Sequence, residues 1–253
     1  MSEKLAPYLA GDAPVVVKAQ NAAIYTDLHL HLDAPGEIIS FIQGLGHLSG
    51  KADALIILGD LFDVYIGREV FVHPHFEPFL RAVEYLGANG CPTYILRGNR
   101  DVMMNQRDGN LMGFTVCDTV LLETQGQRRV LLTHGDAFCL ADRPYQKLRR
   151  TLRFPGLRGF LRTLPYWARK RIARRLRGYS KQEVARKPLD SMALTLSQVK
   201  ETMADFQAEL AVIGHLHAEA RHQLGQNRHL WVLPAWEPGT PPRMVAEMLD
   251  ETV

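Results

Sequence analysis

Five short polar blocks, each directly after a short apolar run, constrain the fold of this chain more than any other feature. They contain seven side chains of the types that bind metal ions: Asp27, His29, Asp60, Asn99, His134, His215 and His217. Short apolar runs rich in β-branched residues are typical of buried strands. Because the ends of parallel strands meet at one edge of a sheet, these side chains should gather there. The pattern predicts an α/β fold with a two-metal site.

The segments between the blocks agree with alternating strands and helices. Residues 35–48 and 75–89 have helical patterns. Residues 115–123 and 129–133 have the composition of strands, and a Gln-Gly-Gln turn at residues 125–127 separates them. These two segments are predicted to form a hairpin.

Residues 143–200 differ from the rest because they are helix-rich and punctuated by prolines. They separate the fourth polar block from the fifth, so we predict a helical lid over the metal site. Residues 1–20 are predicted to be a loose extension, and residues 231–233 the last strand. With 253 residues, the chain is expected to be a single domain, 1–253, that includes this lid.

The net charge of +3 conceals a strong asymmetry along the chain. Residues 147–178 hold twelve Lys or Arg and no Asp or Glu, which leaves 18 basic and 27 acidic residues elsewhere. Apolar residues recur through this basic segment at helical spacing, so its helices are predicted to be amphipathic. Their apolar side could house acyl chains while the basic side lies on anionic lipid headgroups. A helix pair with solvated arginines and a nucleic-acid-binding module are the alternatives.

Cysteine usage and the absence of leader sequences indicate the compartment. The three cysteines are scattered and form no C-x-x-C pair, which indicates a reducing environment. The N-terminal residues lack the apolar core of a signal peptide, and no stretch reaches the ~20 apolar residues of a membrane span. We therefore expect a cytoplasmic protein without an obligate protein partner, associated peripherally with the inner face of the cell membrane.

The candidate ligands offer oxygen and nitrogen atoms but no thiolate, a set that suits Mn²⁺, Fe²⁺ or Zn²⁺ better than Ca²⁺. In an extended segment, residues i and i+2 point the same way, so Asp27 and His29 can bind one ion together. The same applies to His215 and His217, unless a turn sends them to different ions. Asp60 is the candidate for a carboxylate that bridges two cations. Two ions about 3.5–4 Å apart would stabilise both the attacking and the leaving oxygen of a phosphate ester.

The order of the motifs, D-x-H, G-D, G-N, H-G-D and G-H-x-H, resembles that of the calcineurin-like metallophosphoesterase superfamily. The resemblance implies a βαβαβ sandwich with a helical insertion and a dinuclear centre. Mn²⁺ is the expected metal, with Fe²⁺, Zn²⁺ and Mg²⁺ as alternatives. One ion would be held by Asp27, His29, Asp60 and His217, and the other by Asp60, Asn99, His134 and His215.

Within the superfamily, the chain is similar to the UDP-2,3-diacylglucosamine diphosphatases of lipid A biosynthesis, from Asp27 to about Trp236. Segments at residues 51–63, 98–101 and 167–176 carry this closer resemblance. It implies that metal-activated water cleaves the pyrophosphate of this lipid-linked nucleotide into 2,3-diacylglucosamine 1-phosphate and UMP. The implied catalytic residues are Asp60, Asn99, Arg100 and His134. The implied substrate contacts are Asn99, Arg100, Asp142, Tyr145, Ser180, Lys181, Lys187 and His215.

Arg100 stands where many phosphatases of the superfamily have a histidine that acts on the leaving group. A guanidinium is always protonated, so it is a poor proton donor but a good bidentate partner for phosphate oxygens. We therefore predict that Arg100 clamps a phosphate, which fits cleavage between two phosphates. The alternative is a surface ion pair with Asp101.

Three departures from the closer family's pattern, at Arg68, Leu216 and Ala193, leave other substrates open. The family typically has Asp, Thr and Asp at these positions. The alternatives are another nucleotide-linked lipid or a simple phosphodiester. Binding of nucleic acid by the basic segment is not expected, because its aromatic residues follow hydrophobic spacing and form no evident stacking platform.

Overall fold

The computed structural model describes residues 13–186 and 193–252, without the side chains of residues 178–186. The strands of the described part form two sheets and are β1 (Val15–Lys18), β2 (Ala22–Tyr25), β3 (Ala54–Ile57), β4 (Thr93–Leu96), β5 (Thr115–Cys117), β6 (Thr119–Glu123), β7 (Arg129–Thr133), β8 (Leu210–Ile213), β9 (Ala220–Gly225), β10 (Arg228–Val232) and β11 (Arg243–Met244). Its α-helices are α1 (Pro35–Gly46), α2 (Glu77–Ala88), α3 (Gln106–Met112), α4 (Arg143–Arg153), α5 (Pro155–Thr163), α6 (Tyr166–Arg186), α7 (Leu196–Asp205) and α8 (Val245–Asp250).

The two sheets pack face to face and are covered by helices on their outer sides. One sheet has the order β1-β6-β7-β8-β10-β9 and the other β11-β2-β3-β4-β5. Alternate residues of β3 divide between two cores: Ala54 and Ile56 lie between the sheets, whereas Leu55 and Ile57 pack against α1 and α2. Strands buried on both faces need apolar residues at every position, which explains the uninterrupted runs in the sequence.

The predicted strands and helices are present with small differences at their ends. All five apolar runs before the polar blocks are strands, namely β2, β3, β4, β7 and β8, and three of them pair in parallel as β2-β3-β4. The helices predicted at residues 35–48 and 75–89 are α1 and α2, and β6 and β7 form the predicted hairpin. The α/β sandwich with a helical insertion is therefore confirmed.

Three details of the sequence-based prediction were wrong. Residues 15–18 are not loose but form β1, which pairs in parallel with β6. Residues 231–233 do not contain the last strand, because β11 and α8 follow. The predicted strand at residues 115–123 is two strands in different sheets, β5 beside β4 and β6 beside β7, separated by Asp118.

Asp118 lies where the chain crosses from one sheet to the other, and buried arginines surround its carboxylate. Arg97, which follows β4, donates to both carboxylate oxygens of Asp118 at 2.8 Å. Arg153 of α4 donates to the same carboxylate and to the carbonyl of Arg97, at 2.9 Å. Burial would raise the pKa of Asp118, but the charges of Arg153 and Arg97 lower it. The crossing is therefore held by charge-assisted hydrogen bonds from the lid and from β4.

The helical insertion predicted at residues 143–200 contains α4, α5 and α6, whereas α7 belongs to the body. Val199 and Met203 of α7 are fully buried against the outer side of the β6-β7-β8 sheet. Five arginines of the basic segment form ion pairs with acidic residues of the body; they are Arg149, Arg153, Arg162, Arg169 and Arg177, paired with Asp136, Asp118, Asp108, Glu69 and Asp63. Many of the basic residues that cause the charge asymmetry therefore attach the lid to the body through ion pairs.

Within the described residues, no helix combines the length and the apolar run that are needed to cross a bilayer.

We expect Arg153→Leu to lower the free energy of unfolding by about 3 kcal/mol, because it leaves the buried carboxylate of Asp118 without one of its two cations. Urea denaturation at neutral pH measures the change. Arg150→Leu is the matched control, since Arg150 is exposed on the same helix and should change stability by about 0.5 kcal/mol or less. Equal stabilities of the two variants would contradict the role given to this ion pair.

Candidate metal centre

The five polar blocks lie together at one end of the sandwich, although they come from both sheets. Three follow β2, β3 and β4 of one sheet, and two follow β7 and β8 of the other. Two hydrogen bonds join the sheets here: His134 contacts the carbonyl of Leu58 through Nδ1 at 2.8 Å, and the amide of His215 donates to Asp27 at 2.8 Å. Neighbouring strand ends therefore bring residues that are nearly 190 positions apart into contact.

The backbone at the candidate ligands is left-handed, not extended as the i, i+2 reasoning assumed. Asp27, His29, Asp60, His215 and His217 have φ between 48° and 69°. A left-handed φ is uncommon for residues with a Cβ, and residues that adopt such a strained conformation occur mainly at functional sites. Asp27 and His29 do lie together, but tight turns after the strands bring them there.

Glycines before the ligands permit a very close approach of the loops. A Cβ at Gly214 would lie 1.9 Å from Thr26 Oγ1 and 2.3 Å from Asp27 Oδ2. A Cβ at Gly98 would lie 2.1 Å from Asp60 Oδ1. Glycine is therefore required in the G-H-x-H and G-N motifs because any side chain would displace a candidate ligand.

Asp27, His29 and His217 form a first group of candidate ligands. The Nε2 atoms of the two histidines are 3.2 Å apart, and Asp27 Oδ1 lies 3.3 Å from His217 Nε2 and 3.9 Å from His29 Nε2. Asp27 Oδ1 is buried and accepts no hydrogen bond from the described residues.

Asn99, His134 and His215 form a second group with Asp60. Asn99 Oδ1, His134 Nε2 and His215 Nδ1 lie within 3.0–3.2 Å of one another. Asp60 Oδ1 is 3.7 Å from His134 Nε2, while its other oxygen, Oδ2, is 3.9 Å from His29 Nδ1 in the first group. The two oxygens of Asp60 therefore face different groups, as a bridging carboxylate requires.

These spacings fit a divalent ion in each group. Two ligands bound at about 2.1 Å from one ion, at about a right angle, lie about 3 Å apart. The distances of 3.0–3.3 Å within each group have that size, and those from Asp60 to the histidines and from Asp27 to His29, at 3.7–3.9 Å, are longer. The structure thus brings all seven candidate ligands together, and their binding of two ions stays a prediction.

Electrostatics favour cations at the same place. Burial raises the pKa of Asp60 to about 7, although the charge of His134 acts in the opposite direction. Burial lowers the pKa of His29 and of His215 to about 4, which leaves both imidazoles neutral and able to bind a metal at neutral pH. Burial would raise the pKa of Asp27, but the contact with the His217 imidazole and the charge of His134 hold it below its ordinary value.

Three residues that support the ligands were missed by the sequence reasoning. Thr26 donates from Oγ1 to Asp27 Oδ2 at 2.6 Å. Asp101 is fully buried and accepts from the amides of Gly98 and Leu61, at 2.6 and 2.9 Å, so it holds the loops after β3 and β4 together. Thr26 and Asp101 each adjoin a motif residue in the sequence. That position alone does not show which atoms their side chains hydrogen-bond.

Asp136, the third missed residue, joins the second group to the lid. It lies two residues after His134, is buried, and accepts from Arg149 at 2.7 Å and from the hydroxyl of Tyr145 at 2.8 Å. The Tyr145 ring in turn stacks on His215, with centroids 5.9 Å apart. The lid helix α4 therefore contacts a candidate ligand directly.

Arg100 lies beside the carboxylate of Asp60 and does not form the surface ion pair with Asp101. Its Nε atom is 4.0 Å from Asp60 Oδ2, and its amide donates to Asp60 Oδ1 at 2.8 Å. A cavity of about 140 Å³ begins at Asn99 and Arg100 and continues between the body and the lid, where it is lined by Leu148, Leu152, Leu161, Ile172 and Leu176. The cavity therefore adjoins the candidate metal centre and has a largely apolar lining.

The predicted substrate contacts are only partly close to this cavity. Tyr145 lines it, whereas Asp142 caps α4 by accepting the amide of Tyr145 at 3.0 Å. Ser180 and Lys181 lie in the part of α6 whose side chains are not described, and Lys187 lies outside the described residues.

Comparisons with known proteins place the chain in a phosphoesterase family. Residues 21–219 match the family described as calcineurin-like phosphoesterase. The chain is 36% identical to the UDP-2,3-diacylglucosamine hydrolases of Escherichia coli O6:K15:H31 (strain 536 / UPEC) and of strain K12 / DH10B, over 83% of this chain and 88% of theirs. A solved structure of a conserved protein from Streptococcus pneumoniae TIGR4 aligns over 86% of this chain and 73% of that one, with 15% identity and a TM-score of 0.38, too slight a likeness to support an argument.

We expect the purified protein to hold two divalent ions per chain and His217→Ala to hold one, because His217 belongs only to the first group. Metal analysis after dialysis against Mn²⁺ measures the stoichiometry. The matched control is His222→Ala on β9, which removes a histidine outside both groups and should retain both ions. An unchanged stoichiometry in His217→Ala would contradict the assignment of this ligand.

Proposed function

The chain belongs to the calcineurin-like phosphoesterase family, and we propose that this metal-dependent hydrolase cleaves the pyrophosphate bond of UDP-2,3-diacylglucosamine. The products would be 2,3-diacylglucosamine 1-phosphate and UMP. The observation that carries the proposal is the continuity of the candidate metal centre with an apolar cavity through Asn99 and Arg100. A lipid-linked nucleotide needs both parts, and the names of the E. coli relatives support the same substrate.

Seven side chains would hold two divalent ions, for which Mn²⁺ is the first candidate. Asp27, His29, Asp60 and His217 would hold one, and Asp60, Asn99, His134 and His215 the other. When bound, such ions lower the pKa of water and neutralise charge on phosphoryl oxygens. Tyr145 and Asp136 would keep His215 and His134 in position, because they pack on or follow those ligands.

Arg100 would bind the non-bridging oxygens of the pyrophosphate beside Asp60. Its guanidinium stays charged throughout, so it would stabilise the negative charge that develops and would not transfer a proton. The leaving group is a phosphate monoester, which can depart as an anion. A general acid is therefore not required at this position.

We expect the metal-loaded protein to convert UDP-2,3-diacylglucosamine to UMP in a ³¹P-NMR assay. Asp60→Ala should show no measurable turnover, because both ions lose their shared ligand. Arg100→Gln should lower kcat/KM by about 10²–10³-fold, the usual loss when one charge-stabilising donor is removed.

Arg81→Gln, an exposed arginine on α2, is the control and should retain full activity. No formation of UMP by protein with its full metal content would refute the substrate. Turnover of bis(p-nitrophenyl) phosphate in its place would favour a simple phosphodiester.

We further propose that the lid rests on the cytoplasmic face of an anionic membrane, from which the acyl chains of the substrate come. The outward face of α6 carries Trp167, which is 69% exposed, with Lys170, Arg171, Arg174 and Arg175. An exposed tryptophan beside unpaired cations is typical of interfacial helices. The opposite face of α6 lines the apolar cavity with Ile172 and Leu176, so one helix would contact both membrane and substrate.

Trp167→Ser should therefore weaken binding to vesicles that contain phosphatidylglycerol, as measured by co-sedimentation, and binding should fall as salt is raised. Tyr85→Ser on α2 removes an aromatic ring of similar exposure, 57%, from another helix and serves as the control. Equal binding of the two variants would contradict the placement of α6 at the membrane.

A further inference from the structure

A second cavity, of about 280 Å³, lies between the lid and the body next to the apolar cavity. We call it the arginine pocket, and its charged lining consists of Arg68, Glu69, Arg107, Asp108, Arg162 and Arg169. The residues come from the 3-10 turn Arg68–Val70, from α3 and from the lid helices α5 and α6. Arg169 lines both cavities.

The charge of the arginine pocket is not balanced within it. The pocket contains four arginines and two carboxylates, and each carboxylate already forms an ion pair with one of the arginines. Arg162 donates to Asp108 at 2.6 Å, and Arg169 pairs with Glu69. Arg68 and Arg107 are exposed and form no ion pair with any described acidic residue. The pocket therefore presents two free guanidinium groups beside two fixed ones.

Arg162 and Arg169 are each held by more than one partner. Asp108 is 1% exposed and also accepts the hydroxyl of Tyr65 at 2.9 Å. Arg162 additionally donates to the carbonyl of Met103 at 3.2 Å, and Arg169 to that of Leu164 at 3.0 Å. A Cβ at Gly67 would lie 1.9 Å from Arg169 Nη1, so glycine there lets the guanidinium lie against the turn. The pocket is consequently formed before any anion arrives.

We propose that the arginine pocket binds the phosphate group of a monoester or of a lipid headgroup. Guanidinium groups bind phosphate through paired, charge-assisted hydrogen bonds, and two free arginines match the two negative charges of a phosphate monoester. The proposal does not depend on the identity of the hydrolysed substrate.

The test compares metal-loaded wild-type protein with the double variant Arg68→Gln/Arg107→Gln, whose two exposed, unpaired side chains are not needed for folding. Calorimetric titration with glycerol 3-phosphate should show two binding events in the wild type, one at the metal centre and one in the pocket. The double variant should retain the first and lose affinity in the second by about tenfold per arginine. Arg81→Gln should keep both events.

Vesicles distinguish the two sources of the phosphate. If a lipid headgroup is the ligand, binding to phosphatidic acid vesicles falls in the double variant relative to Arg81→Gln, in addition to the calorimetric difference. If a soluble monoester is the ligand, the calorimetric difference appears and vesicle binding of the double variant equals that of Arg81→Gln. Identical behaviour of wild type and double variant in both measurements, or an equal loss in Arg81→Gln, overturns the proposal.

Discussion

A buried group of charges joins the two sheets, the lid and the loop that carries His134. Arg153 of α4 contacts Asp118, at the crossing between the sheets, and approaches Asp136, which also pairs with Arg149. Breaking one partner out of such a group would leave a charge without compensation in the interior, which is strongly unfavourable. Helix α4 is therefore a fixed part of the site, and α5 and α6 are held to the body by ion pairs whose side chains are more exposed than those of α4.

The strands and the grouping of the seven side chains were predictable because they follow from local pattern and from one rule of topology. Each run before a block is apolar at every position, as in β3 and β8, and parallel strand ends meet. The switch between sheets at Asp118 was not recognised, although a single acidic residue within the apolar segment at residues 115–123 signals it. The apolar pattern of a segment shows which faces of the strand are buried, but it does not show which neighbouring strand it pairs with.

The basic segment shows a different limit of sequence reasoning. Its composition correctly predicted a helical insertion, but composition treats every arginine alike. In the structure, Arg149 and Arg153 are buried and paired, Arg162 and Arg169 pair with acidic residues at the arginine pocket, and the exposed cations of α6 face outward. Whether an arginine is buried, paired or exposed depends on acidic residues that are distant in sequence. The alternative of a helix pair with solvated arginines holds for the exposed cations of α6 and not for the five arginines that pair with the body.

The left-handed backbone at the candidate ligands has a consequence for how this protein changes over evolutionary time. Asp27, His29, Asp60, His215 and His217 all hold a conformation that glycine adopts without strain. If these side chains bind ions that the protein needs, selection keeps them there against the preference of the backbone. In a lineage that no longer needs hydrolysis, glycine or asparagine would accumulate first at these positions, since the fold would gain stability from the loss. The centre should therefore decay before the sandwich around it does.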